Sequence, residues 1–269
     1  MRTPSGEWRL ILERSPLPGA VNLARDEAIL RYVSTGYALP TLRVYAWQPP
    51  ALVVGRGQPV AEVAWDRVLG EGLDVVRRMT GGTAVLNRDV LGFSLIVPAA
   101  DVSWAFPVVE SYRGVGEALL AAVARLGVTG ATLSRHRSGA KVRSPVCFEL
   151  PSAYELLVDG RKLVGLAQRR TRHGTLLHGS LPLSGDMGEI ADYLTTPIEP
   201  SRVRAVTITL EEALGRSVSW SEAADSVIQG CVEALGLSLV ESPLIEAEAI
   251  EAERLVRDKY GRREWTERL

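Results

Sequence analysis

The chain has 269 residues, 46% hydrophobic and 23% charged, with a formal net charge of −1. That is enough apolar sequence to bury a real core, and the charge balance offers no bulk attraction for nucleic acid or an anionic membrane. Its two cysteines, Cys147 and Cys231, lie far apart with no Cys-x-x-Cys and no His/Cys grouping at metal spacing, which argues against a disulfide framework and a zinc site. The segment Met1 to Ser15 has no apolar h-region, and no run is long enough to span a bilayer, so a cytoplasmic protein without membrane contact is expected.

In chain order, Trp8 to Leu12 alternates as a strand, and after Pro16 and Pro18 the run Val21 to Tyr32 has helical spacing, with Asn22 and Asp26 suited to its start. Leu42 to Trp47 and Leu52 to Val54 read as strands separated by Pro49-Pro50, the second closed by Gly55-Arg56-Gly57. Val60 to Leu69 is a short helix and Leu73 to Arg77 a strand. A turn at Thr80-Gly81-Gly82 leads into strands over Thr83 to Leu86 and Leu91 to Val97. Pro107 to Leu126 carries the strongest helical pattern. Strands dominate from there to Leu183, and helices follow over Glu189 to Leu194, Ser221 to Leu235 and Glu246 to Tyr260. With no repeat, no low-complexity tract and no linker, the pattern predicts one α+β domain over residues 1–269, a mixed or antiparallel sheet flanked by helices, with a helical tail from about residue 246.

Two stretches carry chemistry. In the first, Cys147 stands ahead of a strand-like run, Tyr154 to Val158, then Asp159-Gly160, then a second run from Arg161 to Gln168. Asp-Gly between two such runs is a strong hairpin signal, and it brings Lys162 back beside the first run. A cysteine thiol is only partly ionised near neutrality, and a nearby ammonium favours the thiolate. On that layout Lys162→Met is expected to remove activity with little change in melting temperature. In the second stretch, Arg77-Arg78 precede Thr80-Gly81-Gly82, where paired glycines let backbone approach a ligand and the arginines supply forked donors. Neither GxxxxGK[ST] nor a GxGxxG after a strand is present. Cys231 reads as a buried small hydrophobe, His178 as a structural strand histidine, and Arg169, Arg170, Arg172 and His173 as a solvated basic loop that could also meet an acidic carrier.

Four motifs in order, Asn22 to Glu27, Gly55 to Gln58, Arg77 to Val85 and Asp159 to Gly165, resemble the lipoate-protein ligase and octanoyltransferase family, the likeness running from about Trp8 to Leu183. The stretch Cys147-Phe148-Glu149-Leu150-Pro151-Ser152-Ala153-Tyr154-Glu155-Leu156 is similar to the cysteine-containing octanoyltransferases of bacteria such as bacilli. The resemblance implies a biotin/lipoate ligase catalytic fold, a mixed sheet around an acyl tunnel. It implies that Cys147 is the nucleophile and Lys162 its cationic partner, with Arg77, Arg78, Thr80, Gly81, Gly82, Ala84 and Gly165 binding substrate. It also implies octanoyl transfer in lipoate biosynthesis, without a cofactor, from octanoyl-acyl carrier protein to a lysine of a lipoyl domain such as glycine cleavage H protein or 2-oxoacid dehydrogenase E2. An amidotransferase moving octanoyl between lipoyl domains, an ATP-dependent lipoate ligase and a non-catalytic acyl or lipoyl-domain binder are the alternatives. One departure stands out: relatives commonly show His-Asp where this chain has Asn87-Arg88.

Overall fold

The computed structural model describes residues 6–99, 101, 108–134, 146 and 154–269; Cys147 lies outside the described residues. In chain order the elements are β1 (Glu7–Leu12), α1 (Gly19–Ser34), β2 (Thr41–Tyr45), β3 (Ala51–Val54), α2 (Trp65–Gly70), β4 (Asp74–Arg77), β5 (Val85–Asn87), β6 (Val90–Pro98), α3 (Val108–Leu126), β7 (Ala131–Leu133), β8 (Leu156–Val158), β9 (Arg161–Lys162), β10 (Gly165–Arg170) and β11 (Gly174–Pro182). There follow α4 (Pro200–Val206), α5 (Leu210–Leu214), α6 (Trp220–Leu235), β12 (Ser238–Glu241), α7 (Glu246–Leu255) and α8 (Arg263–Thr266).

A six-stranded sheet in the order β10-β11-β6-β2-β1-β12 is the backbone of the fold. It is mixed, since β1 runs parallel to both β2 and β12 while its other pairs are antiparallel. The amphipathic α3 and α6 cover one face, packing Leu119, Val123 and Val227 on Leu42, Phe93 and Leu95. The other face meets α1 and a small sheet in the order β4-β3-β5. Between these two sheets lies the space that matters for function. The helix α1 is buried on several sides, so polar residues inside it must find partners. Asn22 does so by donating to Leu17 O at 3.2 Å and Ala46 O at 2.9 Å.

The Asp159-Gly160 hairpin is present, with φ of 49° and 78° at its two central residues as a two-residue turn requires, and Leu157 pairs with Lys162. The expected second strand, Arg161 to Gln168, is two strands. Arg161–Lys162 ends the small sheet β7-β8-β9, and the chain then crosses to the large sheet as β10. Leu163 and Val164 are both fully buried in one core cluster, which successive residues of a single flat strand cannot be, because they point to opposite faces. The expected helix Val60 to Leu69 is likewise divided: Val63 is extended and bridges Leu194, leaving a 3₁₀ turn over Val60–Glu62 before α2. The tail helix ends at Leu255 and continues as a π turn over Val256–Tyr260. It docks on α1 through Arg31–Glu251 (2.6 Å) and Tyr260 Oη donating to Glu27 (2.7 Å).

Candidate functional site

The β4-β3-β5 sheet faces the β10-β11-β6-β2 half of the large sheet across a slot whose space, counted together with the open solvent at its mouth, is about 390 Å³. Its apolar wall includes Leu23, Tyr45, Trp47, Val53, Val85 and Leu166, while Arg78, Asn87, His178 and Ser180 bring polar groups to it. Gly165 lies in this wall.

Arg78 organises the turn beside the slot. Its guanidinium donates to Val53 O at 2.9 Å, to Gly81 O at 2.8 and 3.1 Å, and to Thr83 O at 2.8 Å. The fork thus gathers carbonyls from both ends of the Gly81-Gly82 turn. Gly82 has φ of +88°, and a Cβ added at Gly55 would meet the Gly82 carbonyl oxygen at 1.8 Å, so the two glycine loops lie back to back. The Arg56 amide seals the contact by donating to Thr80 O at 2.9 Å.

The side chain of Thr80 is buried and shares a hydrogen bond of 2.7 Å with His178 Nε2. His178 Nδ1 lies 3.5 Å from Asp26 Oδ2, which also accepts from Ser94 Oγ at 2.7 Å, while Asp26 Oδ1 accepts from Arg43 at 2.7 Å. The carboxylate favours a proton on Nδ1, leaving Nε2 to accept from the Thr80 hydroxyl. Burial alone would push the Asp26 carboxyl up; Arg43, helped by His178 and Ser94, outweighs it and holds the group below the ordinary value. A depressed carboxyl stabilises the fold above its unfolded pKa of about 3.9, and that stability is lost as pH falls through the lower folded value. Melting temperature is therefore expected to drop steeply below about pH 4 and to depend less on pH in Asp26→Asn; equal acid sensitivity in both proteins, followed by circular dichroism, would count against this.

Arg77 is not in the slot. Successive strand residues face opposite ways, and Arg77 turns to the other side, donating to Gly55 O and Gln58 O at 2.7 Å each and to Thr266 O at 2.8 Å. Trp265 Nε1 returns a bond to Arg77 O at 2.8 Å, so this arginine ties the chain's last helix to β4. Ala84 is fully buried and bridges Val146, the residue before Cys147 in sequence. Asn87 takes an inward place, accepting from Ser180 Oγ at 2.8 Å, whereas Arg88 turns out to Glu189 at 3.1 Å.

Lys162 is 1% exposed, with its ammonium 2.8 Å from Glu155, whose side chain is equally buried. The expectation that Lys162→Met changes melting temperature little is corrected here, because removing either partner breaks an ion pair buried in a dry interior. Tyr154, just before Glu155, has φ of +65°, a conformation a bulky residue adopts only when its surroundings hold it. They do: its amide donates to Ser134 O at 2.8 Å, and the Ser134 amide donates to Glu155 O at 2.9 Å. Cys231 is a residue of α6 buried in the core, its thiol pushed up to about 12 by burial. His178 and Asn87 stood out in the sequence, but their places in the slot come from strand neighbours distant in the chain, which motif spacing does not give.

This slot between two sheets, with its glycine turn and neighbouring hairpin, places the chain in a known class. Residues 18–232 match the lipoyl protein ligase A/B catalytic domain, and the chain belongs to that family. Over nearly its whole length it is similar to octanoyltransferases LipM. It is 39% identical to that of Symbiobacterium thermophilum, covering 97% of this chain and 98% of the relative, and 33% identical to that of Staphylococcus aureus, covering 96% and 97%. Among solved structures, a lipoate-protein ligase A bound with ATP superposes with a TM-score of 0.82 at 25% identity, covering 97% of this chain and 99% of the other. The bipartite lipoate protein ligase of Thermoplasma acidophilum, studied with its E2 lipoyl domain, gives 0.81 at 25% identity, covering 98% and 97%. The α+β lipoate ligase fold expected from sequence is the fold observed. Among the described residues no helix is long and apolar enough to cross a membrane.

Proposed function

We propose that this octanoyltransferase works through a thioester on Cys147, taking octanoyl from an acyl carrier protein and passing it to a lysine of a lipoyl domain. Its kinship with octanoyltransferases along the full chain makes it an acyltransferase of lipoate biosynthesis. The observation that carries the thioester reading is the Ala84–Val146 bridge, which ties the residue before Cys147 to the strand segment walling the slot. In the first step the Cys147 thiolate attacks the donor thioester carbonyl; the new C–S bond forms as the old one breaks, and the donor thiolate leaves and takes a proton. In the second, the acceptor lysine amine attacks the Cys147 thioester, an amide forms, and the amine proton returns to the departing sulfur. An amide is more stable than a thioester, so no nucleotide is consumed.

Incubation with octanoyl-carrier protein should add one octanoyl mass, removable by neutral hydroxylamine, to the peptide containing Cys147. A strict requirement for ATP with free octanoate or lipoate would overturn the proposal in favour of a ligase. Gly82→Val tests the slot as the acyl path. A branched side chain at φ +88° is expected to cost about 1–3 kcal/mol of stability. It should also lower turnover by about tenfold to a hundredfold through misplacement of the turn. Unchanged turnover in a steady-state transfer assay would remove this turn from the substrate path.

A further inference from the structure

Beyond the slot, β10 and the glycine turn continue into an open basin of about 1050 Å³, counted with its open solvent as for the slot. The slot takes Gly165, Leu166 and Ala167 of β10, and the basin takes Gln168, Arg169 and Arg170; Arg78 borders the slot, and Gly81 of the same turn borders the basin. Arg56 and Arg268 complete its charged side chains; the main-chain oxygen of Leu269, also in the lining, accepts from the Val60 amide at 2.9 Å, and among the described residues no Asp or Glu side chain lines the basin. That is unusual in this chain, where Arg9, Arg31, Arg43, Arg88 and Arg204 all pair with Asp or Glu. Among the described residues neither Arg56 nor Arg268 has a carboxylate partner. Arg268 donates to Arg56 O at 3.1 Å and lies 3.7 Å over the Trp265 ring, contacts that hold its guanidinium without an Asp or Glu side chain. Burial lowers the pKa of Arg268, and Arg56 beside it lowers it further; Arg77, behind the basin, is lowered by burial and then by Arg268. The fold thus holds like charges together at the mouth of the slot. The Gln168 amide adds a further group, its oxygen and nitrogen both buried without a hydrogen-bond partner among the described residues.

We propose that this basin binds the phosphate of the pantetheine arm that presents the octanoyl thioester to the slot. The proposal rests on the carrier-thioester donor given above. Forked guanidinium donors suit a phosphate, and two guanidinium groups held close together gain from an anion that screens their mutual repulsion. Continuity of basin and slot along β10 would let one extended arm occupy both, acyl end inward and phosphate outward.

Two donors that differ by one phosphate group, octanoyl-pantetheine and octanoyl-4′-phosphopantetheine, test this. In the wild-type protein the phosphorylated donor should show a kcat/KM advantage of about tenfold or more, as expected for two charge-assisted hydrogen bonds. In Arg56→Gln/Arg268→Gln the advantage should fall to about onefold. Inorganic phosphate should raise KM for the phosphorylated donor selectively in the wild-type protein, a measurement independent of how the double variant folds. Equal use of both donors by the wild-type protein overturns the proposal. So does an advantage seen only with the intact carrier protein, which would assign the arginines to an acidic protein surface. If neither thioester supports transfer, the donor reading fails. Calorimetry with 4′-phosphopantetheine itself then decides the basin, binding to wild-type protein and its loss in the double variant supporting it, and no binding to wild-type protein overturning it.

Discussion

Cys147→Ala is expected to lower octanoyl transfer to a lipoyl domain by about a thousandfold or more, the scale at which removing a covalent nucleophile acts. The acceptor amine cannot substitute for the missing thiol, because in the two-step route it meets an acyl group already moved off the donor. Cys147→Ser should form a sluggish oxygen ester or none, since a serine hydroxyl is far less ionised than a thiol near neutrality. Cys231→Ser is the control, its thiol 2% exposed and pushed up to about 12, with no route to substrate from its place in the core. The test is a gel-shift or mass assay of lipoyl-domain modification. Transfer by Cys147→Ala at the wild-type rate would show that donor and acceptor react directly.

Lys162→Met should abolish transfer and also lower stability by about 3–5 kcal/mol, the cost of leaving one member of a buried ion pair alone. Glu155, 2.8 Å away and 1% exposed, would lose this ion pair and either keep a buried carboxylate or take up a proton. A double variant, Lys162→Met/Glu155→Leu, separates the two roles. Replacing both partners should restore much of the lost melting temperature, because a buried pair often stabilises no more than its hydrophobic equivalent. Activity should stay low if the ammonium serves the reaction. Recovery of transfer together with melting temperature would make Lys162 a structural residue only.

Local chemistry was legible where one short segment decides it. Asp159-Gly160 specifies a hairpin by its tolerance of positive φ, and the apolar spacing of Pro107 to Leu126 foretells α3. What the sequence hid was long-range. Thr80 and His178 are 98 residues apart, and no spacing rule joins them. Arg77 and Arg78 look equivalent in sequence, yet strand alternation sends one to the slot and the other to the tail. The edge strand Ser238–Glu241 is largely exposed and lacks alternation, so nothing in its composition announced it. Lys162 showed its position but not its burial, because the partner carboxylate lies across the hairpin and the Ser134 contact that shapes Tyr154 comes from another part of the chain.

The parallel placement of β1 between β2 and β12 has a consequence for how the protein is made. Glu7 to Leu10 pair with Ser238 to Glu241, and Arg9 is held at 2.6 Å by Glu248, 239 residues later. A ribosome therefore releases the first strand long before its last partner exists, and the nascent chain must carry an open sheet edge through most of synthesis. Closure by such distant contacts slows folding and exposes the edge to other chains. Refolding from denaturant should be slow, and chains stopped before residue 238 should gather with chaperones, because β1 would then be an unpaired edge strand.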